Sequence, residues 1–397
     1  MKFGQRDVVA PLEIFLWSRV AIWLTALLAF TLFEPNRSPL ANRWDGPELH
    51  DVGWAVDVWA RWDSSWFLRI AEHGYSDPSF TPAFAPVYPW LVGGLGRVLG
   101  GHYVLAGVLV SLAACAAAFV LLYRLAEERL GEAAARRAVL YLALFPTALF
   151  LGAVYSESLY LALSVGVFLL AERGRLLGAA GLAGLAGLTR IAGVALLPAL
   201  AVFAWRSPNR LRAFASLAVA PLLWLVYPLV LWLQIDEPLG FLDAQREGWE
   251  REHSPFGPLA GIWEGAAAGW HGALEVVGAG GSYYAGFADT TPLRAAGLDL
   301  QQLVFLVLFV ALAVVAWRRL GAAYGLYAAT SLALPLASPA GDYPLLSLPR
   351  FGLAIFPLFL ALATLGARPR VHVAIVAASA MLLGLATAQW ALWQWVA

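Results

Sequence analysis

The chain has 397 residues, 61% of them hydrophobic and 13% charged, and its 26 basic residues balance 26 acidic ones. A mean hydropathy of +0.70 lies far outside the range of a soluble domain, and zero net charge gives no reason to expect nucleic acid or an acidic partner. Apolar runs of about 20 residues, enough for a helix to cross roughly 30 Å of hydrocarbon, recur along the chain, while the ten-residue alternation of a membrane β-barrel is absent. The expected fold is all-α, a polytopic membrane protein.

In chain order the predicted spans are 11–33, 102–124, 137–154, 158–171, 176–189, 191–205, 213–234, 298–317, 321–337, 351–366 and 371–395, eleven in all. The first is too long for a signal-peptide core and lacks a small-residue cleavage site, so it reads as a retained span. Arg19 within it is expected to snorkel or pack. Cys115 lies inside an apolar run and reads as a packed thiol. The run "GLAGLAG", Gly181 to Gly187, is a small-residue repeat that lets helices approach closely.

Short cytoplasmic loops carry an excess of Lys and Arg. With the N-terminus inside, this rule places Arg124, Arg129, Arg136, Arg137, Arg173, Arg175, Arg206, Arg210, Arg212, Arg318, Arg319, Arg368 and Arg370 on the cytoplasmic side. The arrangement requires "VYPWLVGGLGRVL", Val87 to Leu99, to lie along the interface, and 176–205 to cross twice. Residues 1–397 then form a single membrane domain. Its external segments are 34–101, with interfacial helices, and 236–297, joined on that face by the turns at Tyr155–Glu157, Arg190 and Arg350.

The polar residues left on that face are candidates for chemistry. In "RWDSSWFLRIAEHGY", Arg61 to Tyr75, helical spacing lines up Trp59, Trp62, Trp66, Phe67 and Ile70 and gives Asp63 the polar neighbours Arg69 and Glu72. Tryptophans at this depth are explained by an aromatic belt. A carboxylate among them is partly desolvated, which costs free energy that water would avoid. Glu157, in the short Tyr155-Ser156-Glu157 turn between apolar runs, is an intramembrane acid and functional by default, or else a helix cap. Arg190 in "GLTRIAG" and Arg350 in "SLPRFGLAIFPLF" offer planar forks for phosphate or carboxylate. The alternatives are a structural Arg190–Glu157 ion pair and an interfacial anchor at Arg350.

"FLDAQREGWEREHSPFGPL" adds Gln245, Trp249, Arg251 and His253, suited to sugar hydroxyls and phosphate or to a solvated loop. His73, His102 and His253 are scattered without zinc spacing, and there is no P-loop, GxSxG or GxGxxG.

Taken in order, "RWDSSWFLRIAEHGY", "FAPVYPW", "LFPTALFLGAVYSESLY", "LTRIAG" and "LPRFGLAIFPLF" resemble the PIG-V family. These are the second mannosyltransferases of glycosylphosphatidylinositol-anchor assembly and their prokaryotic relatives, within the polytopic GT-C glycosyltransferases. The resemblance runs from about Trp62 to Phe359. It implies an inverting enzyme that takes a hexose, usually mannose, from a polyprenyl-phosphate carrier on the non-cytoplasmic face, with the loop acid of the class mapping onto Asp63. Where the family often reads Arg-Ser-Asn-Gly, this chain has Arg190-Ile191-Ala192-Gly193, which leaves the acceptor open among glycolipid, glycan and protein.

On this reading Asp63 is the base, Arg190 and Arg350 contact the donor phosphate, and Trp62, His73, Tyr88, Tyr155, Ser156, Glu157, Gln245, Trp249 and Arg251 bind sugar or acceptor. A divalent ion, Mg²⁺ or Mn²⁺, bridging Asp63 and Glu157 is optional. Two other readings are a transporter or lipid-linked-sugar flippase, and a GT-C enzyme using arabinose or glucose. Lys2 is the single lysine among the 26 basic residues. That bias suggests a GC-rich bacterial genome and therefore a plasma-membrane location.

Overall fold

A computed structural model describes residues 5–76, 80–286 and 291–396. Positions 77–79 and 287–290, within the two predicted external segments, lie outside the described residues. Among those described, the regular structure is helical, with one isolated bridge between Arg251 and Ala340. The helices in chain order are α1 (Gln5–Leu32), α2 (Pro39–Trp44), α3 (Trp54–Asp57), α4 (Ser64–His73), α5 (Val87–Val98), α6 (Tyr103–Leu130), α7 (Glu132–Leu144), α8 (Glu157–Glu172), α9 (Leu176–Gly187), α10 (Leu196–Trp205), α11 (Arg210–Leu217), α12 (Val219–Trp224), α13 (Val226–Ile235), α14 (Gly240–Trp249), α15 (Pro258–Val276), α16 (Pro292–Leu320), α17 (Ala322–Leu336), α18 (Leu348–Leu353), α19 (Phe356–Leu365) and α20 (Pro369–Ala391).

Each of the eleven predicted spans falls on helix, but the helices are unequal. Five stretches among the described residues are long and apolar enough to cross a membrane: Val8–Leu32, Tyr103–Leu130, Arg210–Ile235, Pro292–Leu320 and Pro369–Ala391. The rest are shorter, and the breaks have identifiable causes. The run predicted at 137–154 stops at Leu144 because Phe145 precedes Pro146 and takes φ −55°, ψ 141°, as a residue before proline is driven to do. The chain then tightens into a 3-10 turn, Ala148–Leu151. Likewise 351–366 divides at Ile355, two residues before Pro357, and Arg190 is extended at φ −152° between α9 and a 3-10 turn, Ile191–Ala195. Interrupted backbone at membrane depth is tolerated where it is buried in protein or lines a cavity. In chain order, the first two interruptions carry Tyr155 to Glu157 and Arg190, and Arg350 lies in α18 just before the third.

Arg19 neither snorkels nor meets an acid. It is buried and donates to the Ala148 and Ala143 carbonyls at 2.8 and 3.4 Å, satisfying backbone groups that the break after α7 frees. The glycine repeat behaves as a close-packing face: a Cβ on Gly184 or Gly187 would collide with Leu223 and Trp224 of α12. Gly187→Leu is therefore expected to lower the thermal unfolding midpoint in detergent, by the roughly 1–3 kcal/mol typical of overpacking. An unchanged midpoint would mean that α9 and α12 do not pack this way. A comparable stripe that sequence reading missed, Gly261, Gly265, Gly269 and Gly272, seats α15 against Leu336, Leu345, Leu303 and Ala296. The segment 236–297 is thus largely packed helix rather than solvated loop.

One apolar cluster runs through most of the described chain, from Ala10 to Trp393. The basic loops gather at one end. Arg129 reaches Leu320 O and Glu172, Arg137 reaches Ala363 O, Arg173 pairs with Glu128, and Tyr141 bonds His372. Glu157 begins α8 and Glu172 ends it, so at 1.5 Å per residue the other end of the bundle is about 22 Å away.

Candidate active site

Asp63 does not sit within a helix. It occupies the N-cap position of α4, after a turn in which Trp62 takes the left-handed φ of 52°. The carboxylate consequently leaves the line of Arg69 and Glu72 expected from helical spacing. Arg69 pairs instead with Glu48 at 2.9 Å and Glu72 lies near His73. Asp63 turns inward, 5% exposed, and its Oδ2 accepts from Arg350 Nη1 at 2.8 Å. No described residue donates to Oδ1.

Arg350 bridges two acids. Its Nε stands 3.5 Å from Oε1 of Glu157, which is fully buried at the first position of α8. Arg190 Nη1 lies 2.6 Å from the same Oε1, off the hydrogen-bonding axis, and donates to Ser156 Oγ at 3.3 Å. The result is an alternating array of Asp63, Arg350, Glu157 and Arg190 drawn from four separate parts of the chain. An acid in the first turn suits the α8 dipole, but Ser156 Oγ makes no capping bond and the Glu157 carboxylate points to the arginines. Neither Glu157 oxygen has a hydrogen-bond donor. A buried carboxylate left so is costly unless a ligand or water completes it.

Arg251 is the third cation here. Its guanidinium donates to the Ser338 and Leu346 carbonyls at 3.1 and 2.8 Å, and no carboxylate of the described residues pairs with it. Burial, then the neighbouring Arg350 charge, pull its pKa down to about 10, with Asp63 opposing. Arg190, Arg251 and Arg350 all lie within 5.7 Å of the Phe351 ring. Two acids against three guanidiniums leave one positive charge over, which favours an anion. Arg61, two residues before the acid, is a separate case: it stacks over Trp393 at 4.2 Å and is held near pKa 10 by burial, with Asp45 and Asp57 opposing.

Other expected binders stand elsewhere. Trp62 is buried among Trp44, Trp393 and Trp395, so its face is not offered to a ligand. His73 is exposed at the end of α4, 3.6 Å from Glu72. Tyr88 is fully buried, bonded to Ser111 Oγ at 2.8 Å and Gly107 O at 3.2 Å. Trp249 packs on Phe80 and Phe84, and Gln245 reaches Ala83 O at 3.5 Å, placing both over the loop after α4. His253 is exposed near Ser338. Sequence reading missed Ser111, mid-helix in α6, whose Oγ donates to the Tyr155 carbonyl at 3.2 Å. It also missed Thr147, which holds Pro349 O beside Arg350. Neither had a signal, because a lone hydroxyl in an apolar run usually bonds its own helix.

A divalent ion between Asp63 and Glu157 does not fit these residues, because the Arg350 guanidinium stands between the two carboxylates where the cation would have to be. Among the described residues no cluster of three or more His, Cys, Asp or Glu side chains could replace that pair.

With this geometry in place, comparison with known proteins shows what the chain is similar to. A model of the mannosyltransferase (PIG-V) family matches residues 13–207. That match covers a little under half of the chain. The matched segment contains Asp63, Tyr155, Glu157 and Arg190, while Arg251 and Arg350 come from the remainder of the chain. No curated sequence matches the chain significantly.

Among solved structures, ArnT from Cupriavidus metallidurans, bound to undecaprenyl phosphate, is 16% identical with a TM-score of 0.50, covering 94% of this chain and 63% of its own. The chain therefore spans a little under two thirds of that protein. The oligosaccharyltransferase of Archaeoglobus fulgidus in its apo form aligns at 13% identity and TM-score 0.47, over 95% of this chain and 56% of its own. The ArnT likeness identifies the fold, the all-helical GT-C arrangement.

Proposed function

We propose that the protein is an inverting glycosyltransferase. It moves a hexose, mannose by family, from a polyprenyl-phosphate donor to the hydroxyl of a glycolipid, glycan or protein acceptor. The observation that carries this reading is the buried Asp63–Arg350–Glu157–Arg190 array with its surplus cation, at the end of the bundle away from the basic loops. In a bacterial plasma membrane the positive-inside rule makes that end external.

The chemistry follows from the charges. Asp63 Oδ1 takes the proton of the acceptor hydroxyl as its oxygen attacks the anomeric carbon from the face opposite the phosphate. The bond from that carbon to the phosphate oxygen breaks, and the lipid phosphate departs as an anion needing little acid assistance. Arg190, Arg251 and Arg350 receive the developing negative charge. Glu157, whose oxygens lack donors, accepts from sugar hydroxyls. A glycoside hydrolase would want two carboxylates flanking the sugar, one of them protonated; here both are matched to arginines. A carrier would place its charges near mid-bundle, whereas these lie where helices begin and break.

Purified protein in detergent, given labelled polyprenyl-phosphate mannose, is expected to release or transfer mannose and to do so undiminished in a chelator. Turnover of the glucosyl or arabinosyl donor alone would replace mannose with that sugar. Turnover of none, with uptake of lipid-linked sugar into vesicles, would favour the flippase.

A further inference from the structure

The Tyr155 hydroxyl faces backbone. Its oxygen accepts from the Asp63 N–H at 3.1 Å and its proton goes to the Arg61 carbonyl at 3.2 Å. A phenol has one proton to donate, so it has none for a sugar. These two bonds straddle Trp62, the residue whose φ of 52° is unfavourable for a bulky L-side chain. Such a conformation persists only where the surroundings impose it, and they do so here on several sides. Val154 N–H donates to Trp59 O, Trp390 Nε1 donates to Val58 O at 2.7 Å, and Arg61 N–H donates to Ser64 Oγ. Besides the local Arg61–Ser64 bonds, Tyr155 joins the two sides of the turned residue from a distant part of the chain.

Tyr155 is itself held rigidly. Its ring meets the edges of Phe67, Phe150 and Trp390, and its carbonyl accepts from Ser111, which in turn bonds Tyr88 of α5. The Arg350 guanidinium stands 5.4 Å from the ring.

We infer that Tyr155 is a positioning residue: its hydroxyl locks the left-handed Arg61-Trp62-Asp63 turn and so aims the Asp63 carboxylate between Arg350 and the acceptor. This rests on the reading of Asp63 as base and replaces the sugar-binding role expected for Tyr155 from sequence. A carboxylate freed from that turn falls back on Arg350 with both oxygens, which removes Oδ1 from the acceptor without weakening donor binding.

The test is Tyr155→Phe, which keeps the ring contacts and deletes only the hydroxyl, compared with Asp63→Glu, whose carboxylate is displaced by one methylene, and with the double variant. Tyr155→Phe is expected to lower kcat about tenfold or more, with donor KM unchanged and a modest fall in thermal midpoint, since the Asp63 N–H loses its acceptor. The double variant should be little slower than the slower single one, because residues acting as one unit are not additive. Raised KM with retained kcat would restore the sugar-binding role. Multiplying losses, or loss of the fold in Tyr155→Phe, would overturn the positioning role. Full activity in Asp63→Asn would instead remove the base reading itself, a result independent of how Tyr155→Phe behaves.

Discussion

Asp63→Asn is expected to slow transfer from polyprenyl-phosphate mannose by about 10²–10⁴-fold, the usual contribution of a positioned acid or base. The amide oxygen can still accept from Arg350 Nη1, and Arg350 keeps Glu157 at 3.5 Å for its charge, so the fold should survive with a small loss of stability. What the substitution removes is the carboxylate oxygen of Asp63 that carries neither a cation nor a hydrogen-bond donor, beside an Oδ2 already held by Arg350. Kinetics with labelled donor, beside thermal unfolding of the same preparation, separate the two effects. Wild-type kcat in a folded Asp63→Asn protein would move the proton acceptor to Glu157.

The second large effect belongs to Arg350. Its guanidinium faces two buried acids at once, and removing it leaves Asp63 without a counter-charge and Glu157 with Arg190 alone in a site almost closed to water. Breaking a buried pair by deleting one partner costs about 3–5 kcal/mol, so Arg350→Gln should lower the unfolding midpoint markedly and abolish transfer. Arg350→Lys should rescue neither, since a single ammonium cannot replace the Nη1 contact to Asp63 and the Nε approach to Glu157 together. Asp63→Asn added to Arg350→Gln should recover much of the stability and none of the activity. A stable, active Arg350→Gln protein would show that the array is incidental to the fold and to the reaction.

These expectations depend on contacts that were unevenly legible in the sequence. The helical runs were read well, since about twenty apolar residues have one solution in hydrocarbon. The Phe145–Pro146 and Phe356–Pro357 breaks were written in the proline positions, yet both were read through as continuous spans. Asp63, Glu157, Arg190 and Arg350 were recognisable one at a time because a charge among apolar neighbours is costly. Their pairing was not: Asp63 and Arg350 are 287 positions apart, and nothing local to either names the other.

Trp62, His73 and Tyr88 stand apart from this array for a related reason, that residue type says what a side chain can do but not which way it faces. Trp62 faces away from Asp63 because of one left-handed φ, a torsion no periodicity argument anticipates. Tyr155 went the same way, its hydroxyl engaged with backbone that sequence spacing put nearly a hundred residues away.

The sequence by itself determined the solvent, the helical class and the family-bearing motifs, because hydrophobic transfer and backbone satisfaction act on local runs of residues. Only the tertiary structure decided which charges meet, which acid keeps a free oxygen and which aromatic holds it there. Those outcomes depend on where broken helices from distant parts of the chain converge. Burial makes each partner count there, since a charge out of water must find its counter-charge in three dimensions whatever its position in sequence.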